Sequence, residues 1–259
     1  MLSLPVIGLP IAVTNYQDAI DWILERAQKQ DRAYAVEAAN THVAALTHQD
    51  PEFARAMGEF DLICPDGMPL VWALNAQLPV AQRLTDRVYG PTLMQETFAR
   101  TDTAHSLYRH YFLGGKNETL QKLQSHFREK FTHSVIAGSY SPPFGSWPVG
   151  ESERIAEMIR QSGANLVWVG LGCPKQEKWI AAHKHLLPPA VYFGIGAAFA
   201  FHAGEVRQAP RFVQKIGMEW LFRLLMEPKR LFKRYFTYNS IFAYQLLRDL
   251  RKESKSVSR

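Results

Sequence analysis

Six short runs of apolar, β-branched or aromatic residues alternate with amphipathic stretches of helical period over the first two hundred residues. This alternation restricts the fold more than any other feature of the chain. The runs are 34–38, 62–64, 111–113, 134–137, 166–171 and 191–195, and the helical stretches are 16–29, 51–58, 69–75, 90–101, 118–130, 152–161, 174–185 and 210–226. Strands that alternate with helices of this length pair mainly in parallel, and the resulting sheet is covered on both faces. The expected class is therefore α/β, with a Rossmann-like, mainly parallel sheet flanked by helices. The segment 139–150, rich in proline and glycine, reads as a loop.

In such sheets ligands bind beyond the carboxyl ends of the strands, where loops and helix N-termini present backbone N–H groups. Polar and glycine-rich segments follow the predicted strands: Asn40-Thr41-His42, Pro65-Asp66-Gly67, Gly114-Gly115-Lys116, Gly170 to Glu177, and Gly194 to Ala198. Asp66 sits in a Pro-Asp-Gly turn directly after a strand. A carboxylate fixed there suits a general base whose pKa is tuned by burial, and equally a turn or N-cap residue. The segment 170–177 reads as strand, glycine turn and a helix opening at Pro174, a cradle for phosphate or sugar. It is neither a Walker A loop nor G-x-G-x-x-G. Arg87 suits a phosphate clamp or a pair with Asp86. His42 and His202 read as surface or capping histidines.

Charge is concentrated at the end of the chain. Residues 211–259 hold twelve Lys/Arg against four Asp/Glu, a net +8 in a chain whose total is +6, so residues 1–210 carry −2. The same stretch interleaves Trp220, Phe232, Tyr235, Phe236, Phe242 and Tyr244 with its cations, broken by Pro228. Beyond that break, Leu231/Phe232, Tyr235/Phe236, Phe242/Ala243, Leu246/Leu247 and Leu250 form one apolar stripe. A basic amphipathic appendage of this kind suits contact with phosphates or a membrane surface. Two units are expected: a catalytic domain over 1–209 and a helical appendage over 210–259.

No apolar run reaches the ~20 residues that a membrane helix needs, and the N-terminal residues lack a basic n-region, so no secretory signal is expected. Cys64 and Cys173 make no disulfide framework and read as free thiols. Neither a Cys/His cluster at zinc spacing nor a D-x-D is present, so no metal and no cofactor are expected.

Taken together, Asn40, Pro65-Asp66-Gly67, Arg87-Val88-x-Gly90, Phe112 to Gly115, Val169 to Trp179, Gly217 to Arg223 and Glu227 to Arg230 resemble the WecG/TagA/CpsF glycosyltransferases (glycosyltransferase family 26) in kind and order. The likeness runs from about residue 8 to 235. It implies an inverting, metal-independent transfer of a hexose or N-acetylhexosamine from a UDP-sugar to a polyprenyl-diphosphate-linked sugar. The setting implied is cell-surface or exopolysaccharide synthesis, by a cytoplasmic protein peripheral on the inner face of the plasma membrane, with self-association as a further expectation. By the same resemblance Asp66 is the general base. Asn40, Arg87, Gly114, Gly115, Gly172, Lys175, Gln176 and Glu177 line the donor or acceptor pocket, and Arg223, Arg230 and Lys233 neutralise the departing diphosphate.

Three positions depart from the family pattern: Ala38 for a frequent Thr, Ala200 between Phe199 and Phe201 for a frequent Asp, and Gln208 before Ala209-Pro210 for a frequent Arg. The first two remove polar groups near the sugar pocket, and the wording around Gln208 and Trp220 leans toward the exopolysaccharide hexosyltransferases. Two other classes compete with this reading. A nucleotide-cofactor oxidoreductase would need the missing G-x-G-x-x-G with an acidic residue about 20 positions on. A lipid- or nucleic-acid-binding module would draw on the basic tail alone, and the near-neutral body argues against a nucleic-acid groove.

Overall fold

The computed structural model describes residues 1–210, 212, 213 and 217–257, without the side chains of Arg230, Leu250 and 252–257. Its centre is a six-stranded sheet built from β3 (Ala33–Ala39), β4 (Leu62–Pro65), β5 (Arg109–Gly114), β6 (Val135–Tyr140), β7 (Leu166–Gly170) and β8 (Ala190–Gly194). The strands lie in the order β4-β3-β8-β7-β5-β6, and every neighbouring pair is parallel. All six are legible as apolar runs, although β6 extends to Tyr140, so Ser139 and Tyr140 belong to the strand and not to the loop.

Successive residues of a strand point to opposite faces, and this period divides the interior into two cores. Ala35, Val167 and Tyr192 face one core with Phe53 and Trp179. Val36, Trp168 and Phe193, their neighbours in sequence, face the other with Phe98 and Phe112. Because both faces are buried, these strands read as continuous apolar runs without polar alternation. Two buried polar side chains interrupt the runs, His110 in β5 and Glu37 in β3, the latter a carboxyl only 2 % exposed.

Helices α1 (Tyr16–Lys29), α3 (Pro51–Gly58), α4 (Met68–Ala76), α5 (Gly90–Thr101), α6 (Asn117–Lys130), α7 (Glu151–Ser162) and α8 (Lys175–His183) follow the expected amphipathic stretches. Three further elements go beyond the sequence pattern. Strands β1 (Ser3–Val6) and β2 (Leu9–Ala12) form an antiparallel hairpin that turns through Ile7 and Gly8, both at positive φ. Helix α2 (Thr41–Gln49) follows β3, capped by Asn40, whose Oδ1 accepts from the amides of His42 (3.0 Å) and Val43 (3.3 Å). Helix α9 (Ala197–His202) follows β8.

The expected helix 210–226 is interrupted: 212 and 213 are helical, but the helix breaks at Gly217 and Met218. Helix α10 covers Glu219–Met226, and Gly217 before it has a φ of +73°; 211 and 214–216 lie outside the described residues. Helix α11 (Pro228–Val257) begins at the proline break. It packs along α2, where Thr41 Oγ1 donates to Asn239 Oδ1 (2.7 Å) and the ring of Tyr238 meets His42 edge-on at 4.3 Å. The apolar stripe of α11 divides in two. Leu231 and Phe242 are buried, whereas Phe232, Phe236, Tyr244 and Leu247 are each more than half exposed.

Candidate active site

Two cavities open at the carboxyl ends of the strands and meet over Asp66. The first, of about 470 Å³, lies beneath the appendage helices. Met68, Trp220, Tyr235, Phe242, Leu246 and Leu247 give it apolar walls. Asn40, Asp66, Arg87, Arg223 and Arg234 give it a polar end. The second, of about 400 Å³, lies over the sheet between Gly170–Glu177 and Gly194–Ala200. Asn40, His42, Asp66, Tyr89, Arg223 and Arg234 line both.

Asp66 does not cap the helix that follows it; Gly67 occupies the N-cap of α4 and makes no side-chain cap bond. Instead Asp66 Oδ1 accepts from the amide of Gly90, the first residue of α5, at 2.6 Å. Its own amide donates to Ala39 O (2.7 Å), and Val88 N donates to Pro65 O (2.8 Å), so the strand end, the 86–89 loop and the helix start are tied together. Burial pushes the carboxyl up to about 6, and the Arg87 guanidinium and the Gly90 amide hold it back from rising further. A carboxylate poised there is half-basic close to neutrality, which suits proton abstraction from a hydroxyl.

Arg87 is buried and forms an ion pair with Glu219 at the start of α10, while the Tyr89 hydroxyl donates to the other carboxylate oxygen of Glu219 at 2.5 Å. Asp86 Oδ1 accepts from the Arg87 backbone amide (2.8 Å), while the guanidinium reaches Glu219. Across the site, the Nε atoms of Arg223 and Arg234 are buried with no hydrogen-bond partner. Both arginines line the two cavities, and guanidinium groups placed there are suited to meeting an anion.

On the sheet side, Gln176 Oε1 accepts from the amides of Gly172 (3.1 Å) and Gly196 (3.2 Å) and so ties together the loops after β7 and β8. Its Nε2 donates to Glu177 Oε1 (3.0 Å). Pro174 occupies the N-cap of α8, after a cis peptide bond, and not the first helical turn as expected. His42 is buried in the first turn of α2, not on the surface, and burial brings its pKa down to about 4, so its imidazole is neutral. Its Nδ1 lies 3.8 Å from Cys173 Sγ. His202 contacts Pro91 O (2.8 Å) and lines neither cavity.

The structure thus brings Asn40, Asp66, Arg87, Gly172, Gln176, Glu177 and Arg223 to the cavities and leaves four predicted positions away from them. Gly114 packs against the backbone of Gly170, and Gly115 faces Phe199 and Thr119. Lys175 turns outward, its Nζ donating to Gly145 O (3.3 Å) and lying 4.5 Å from the centre of the Trp147 ring. Lys233 is exposed, and the Arg230 side chain is outside the described residues. Sequence reasoning passes over Glu37, Tyr89 and Glu219, and places Arg234 only within the basic cluster of the tail, with Arg223, Arg230 and Lys233. Glu37 has a signal, a lone charge within an apolar strand; Arg234 belongs to the basic cluster of the tail, and only the fold separates it from Lys233.

Ala38 and Ala200, the two departures near the expected sugar pocket, both line the second cavity. Among the described residues, no group of three or more His, Cys, Asp or Glu is arranged to hold a metal, and no helix is long and apolar enough to cross a membrane. A family model described as the glycosyl transferase WecG/TagA/CpsF family matches residues 4–256.

Proposed function

The chain belongs to the WecG/TagA/CpsF family of glycosyl transferases, and from that premise we propose that it moves a hexose or N-acetylhexosamine, with inversion and without a metal, from a UDP-sugar to a polyprenyl-diphosphate-linked sugar. The observation that carries this reading is that Asp66 stands where two cavities of opposite character meet. The polar cavity over the strand ends takes the nucleotide sugar. The apolar one beneath α10 and α11 takes the isoprenoid-linked acceptor and presents its hydroxyl to Asp66.

Asp66 removes the acceptor proton as the hydroxyl attacks the anomeric carbon from the face opposite the leaving UDP. Arg223 and Arg234 meet the negative charge that builds on the diphosphate, which is where preorganised cations accelerate transfer most. The exposed row Phe232, Phe236, Tyr244 and Leu247, flanked by exposed Lys229, Lys233 and Arg248, rests the appendage on an anionic membrane surface. On this reading the protein works at the cytoplasmic face, where lipid-linked acceptors are extended.

The test is UDP release from a panel of UDP-sugars with EDTA present, with and without a short-chain lipid-diphosphate-GlcNAc or -glucose. Acceptor-dependent release from one donor is the expected outcome. Absence of UDP binding overturns the donor assignment, and release that EDTA abolishes overturns the metal-free mechanism.

A further inference from the structure

Trp72 is a large aromatic residue of α4 that the fold leaves 53 % exposed beside the first cavity. Met68, one turn earlier on the same face of α4, lines that cavity, and so does Gly217, two residues before α10. A Cβ on Gly217 would lie 3.0 Å from Trp72 Cη2 and 3.2 Å from Met68 Cβ, and the residue holds a φ of +73°. The chain thus crosses α4 closely enough to leave little room for a side chain. The indole is pressed against the cavity wall from outside and continues it toward the surface.

The lining itself also surfaces. Trp220 of α10 and Leu247 of α11 both line the cavity and are both exposed. The opposite character sits deeper, where Asn40, Asp66 and Arg87 form the polar end. An apolar opening that leads to a polar end fits a ligand with hydrocarbon at one end and polar groups at the other. Hydrocarbon that extends beyond the opening needs cover, and exposed apolar side chains at a cavity edge mark the place where cover is supplied. The roof of this cavity belongs to the segment that carries twelve Lys/Arg against four Asp/Glu over 211–259, which suits an anionic bilayer as the cover.

Building on the glycosyltransferase reading above, we infer that the edge of the first cavity beside Trp72 is the portal through which the isoprenoid chain of the acceptor passes from the bilayer, with Trp72 seated at the level of the lipid headgroups. Tryptophan suits that level because its ring is apolar while its N–H still reaches polar groups. Trp72 stands on α4, outside the appendage. The body of the protein therefore meets the membrane as well, and the site is held at a fixed height above it.

The experiment compares two acceptors with the same diphosphate-sugar head, one on a long polyprenyl chain in anionic vesicles and one on a single isoprene unit in solution. It uses the full-length protein, Trp72→Ala and Trp72→Tyr, with folding checked by circular dichroism. Trp72→Ala should raise KM for the vesicle-borne acceptor at least fivefold and KM for the short acceptor less than twofold, and Trp72→Tyr should restore the former to within twofold. Vesicles of brominated lipid supply a readout without turnover: they should quench the tryptophan fluorescence of Trp72→Phe at least a quarter less than that of the unaltered protein. An unchanged KM for the vesicle-borne acceptor overturns the portal, as does undiminished quenching in Trp72→Phe. An equal rise for both acceptors also overturns it and assigns Trp72 to holding α10 in place. In all three cases the transferase reading stands. An unaltered protein that transfers to neither acceptor removes the reading and the portal together. Should Trp72→Ala not fold, the quenching comparison decides alone.

Discussion

Replacing Asp66 by asparagine should remove the activity and raise the stability at the same time. The carboxyl ordinarily titrates near 3.8 and is pushed up to about 6 in the folded chain. A tenfold change in proton affinity corresponds to about 1.4 kcal/mol, so holding Asp66 ionised above pH 6 costs on the order of 3 kcal/mol. The group is partly reachable by solvent, and screening reduces this to about 1–2 kcal/mol. Asparagine removes the charge and retains an oxygen for the Gly90 amide. A gain of that size raises the melting temperature of a chain this long by about 2–8 °C.

The sign fixes the pH dependence. A raised folded pKa means that the folded state holds the proton more tightly than the unfolded one. The penalty is therefore absent below about pH 4, grows between about 4 and 6, and is constant above. Thermal unfolding of both proteins from pH 4 to 8 reads this out, with transfer assayed in parallel at pH 7.5. Expected are a variant that is inert at pH 7.5 and a stability advantage that appears only as pH rises. Near-normal transfer, or an advantage independent of pH, refutes the argument.

Other perturbations test neighbouring links. Glu219 raises the Asp66 carboxyl, so Glu219→Gln should move the acid limb of the pH–rate profile of kcat/KM to lower pH by a fraction of a unit, and an upward move would contradict the assigned electrostatics. Gly194→Ala should expel the Glu37 carboxyl from its place and lower affinity for a UDP-sugar at least tenfold, as titration calorimetry would show. Phe232→Ser with Phe236→Ser removes two exposed aromatics and should weaken co-flotation with anionic liposomes several-fold while UDP affinity stays put; undiminished flotation would assign the membrane contact elsewhere. Removing residues after Glu227 should leave a folded core by circular dichroism with transfer reduced at least a hundredfold, because Arg234 and the roof of the first cavity go with them.

The central sheet was legible because each strand is buried on both faces, so its apolar run is unbroken and short. The hairpin was not, since Pro5 and Pro10 sit within its four-residue strands and proline argues against strands in any sequence reading. Helix α2 was hidden by its composition: Thr41, His42, Val43 and Thr47 lower helical propensity, and what holds the helix is the Asn40 cap and its packing against α11. At the site, strand-end positions pointed to Asp66, Asn40 and Gln176, and all three line a cavity. The contributions of Glu219 and Arg234 depend on how α10 and α11 return across the sheet, a tertiary event with no local signature. A glycine pair reads the same whether it admits a ligand or, as Gly114 and Gly115 do, a neighbouring strand and side chains.

The glycines around the second cavity also bear on how such a pocket changes over time. Gly170, Gly194 and Gly196 are packed so that a side chain on any of them would run into an aromatic ring or a polar group. The floor of the pocket is therefore closed to stepwise tinkering, because one methyl group there disturbs its neighbours before it can meet a new sugar. Ala38 and Ala200 also line the cavity, each already carries a Cβ, and neither stands at positive φ. Diversification of donor preference is thereby channelled to a few permissive positions around an immovable base, and a library aimed at new sugars belongs at those two alanines.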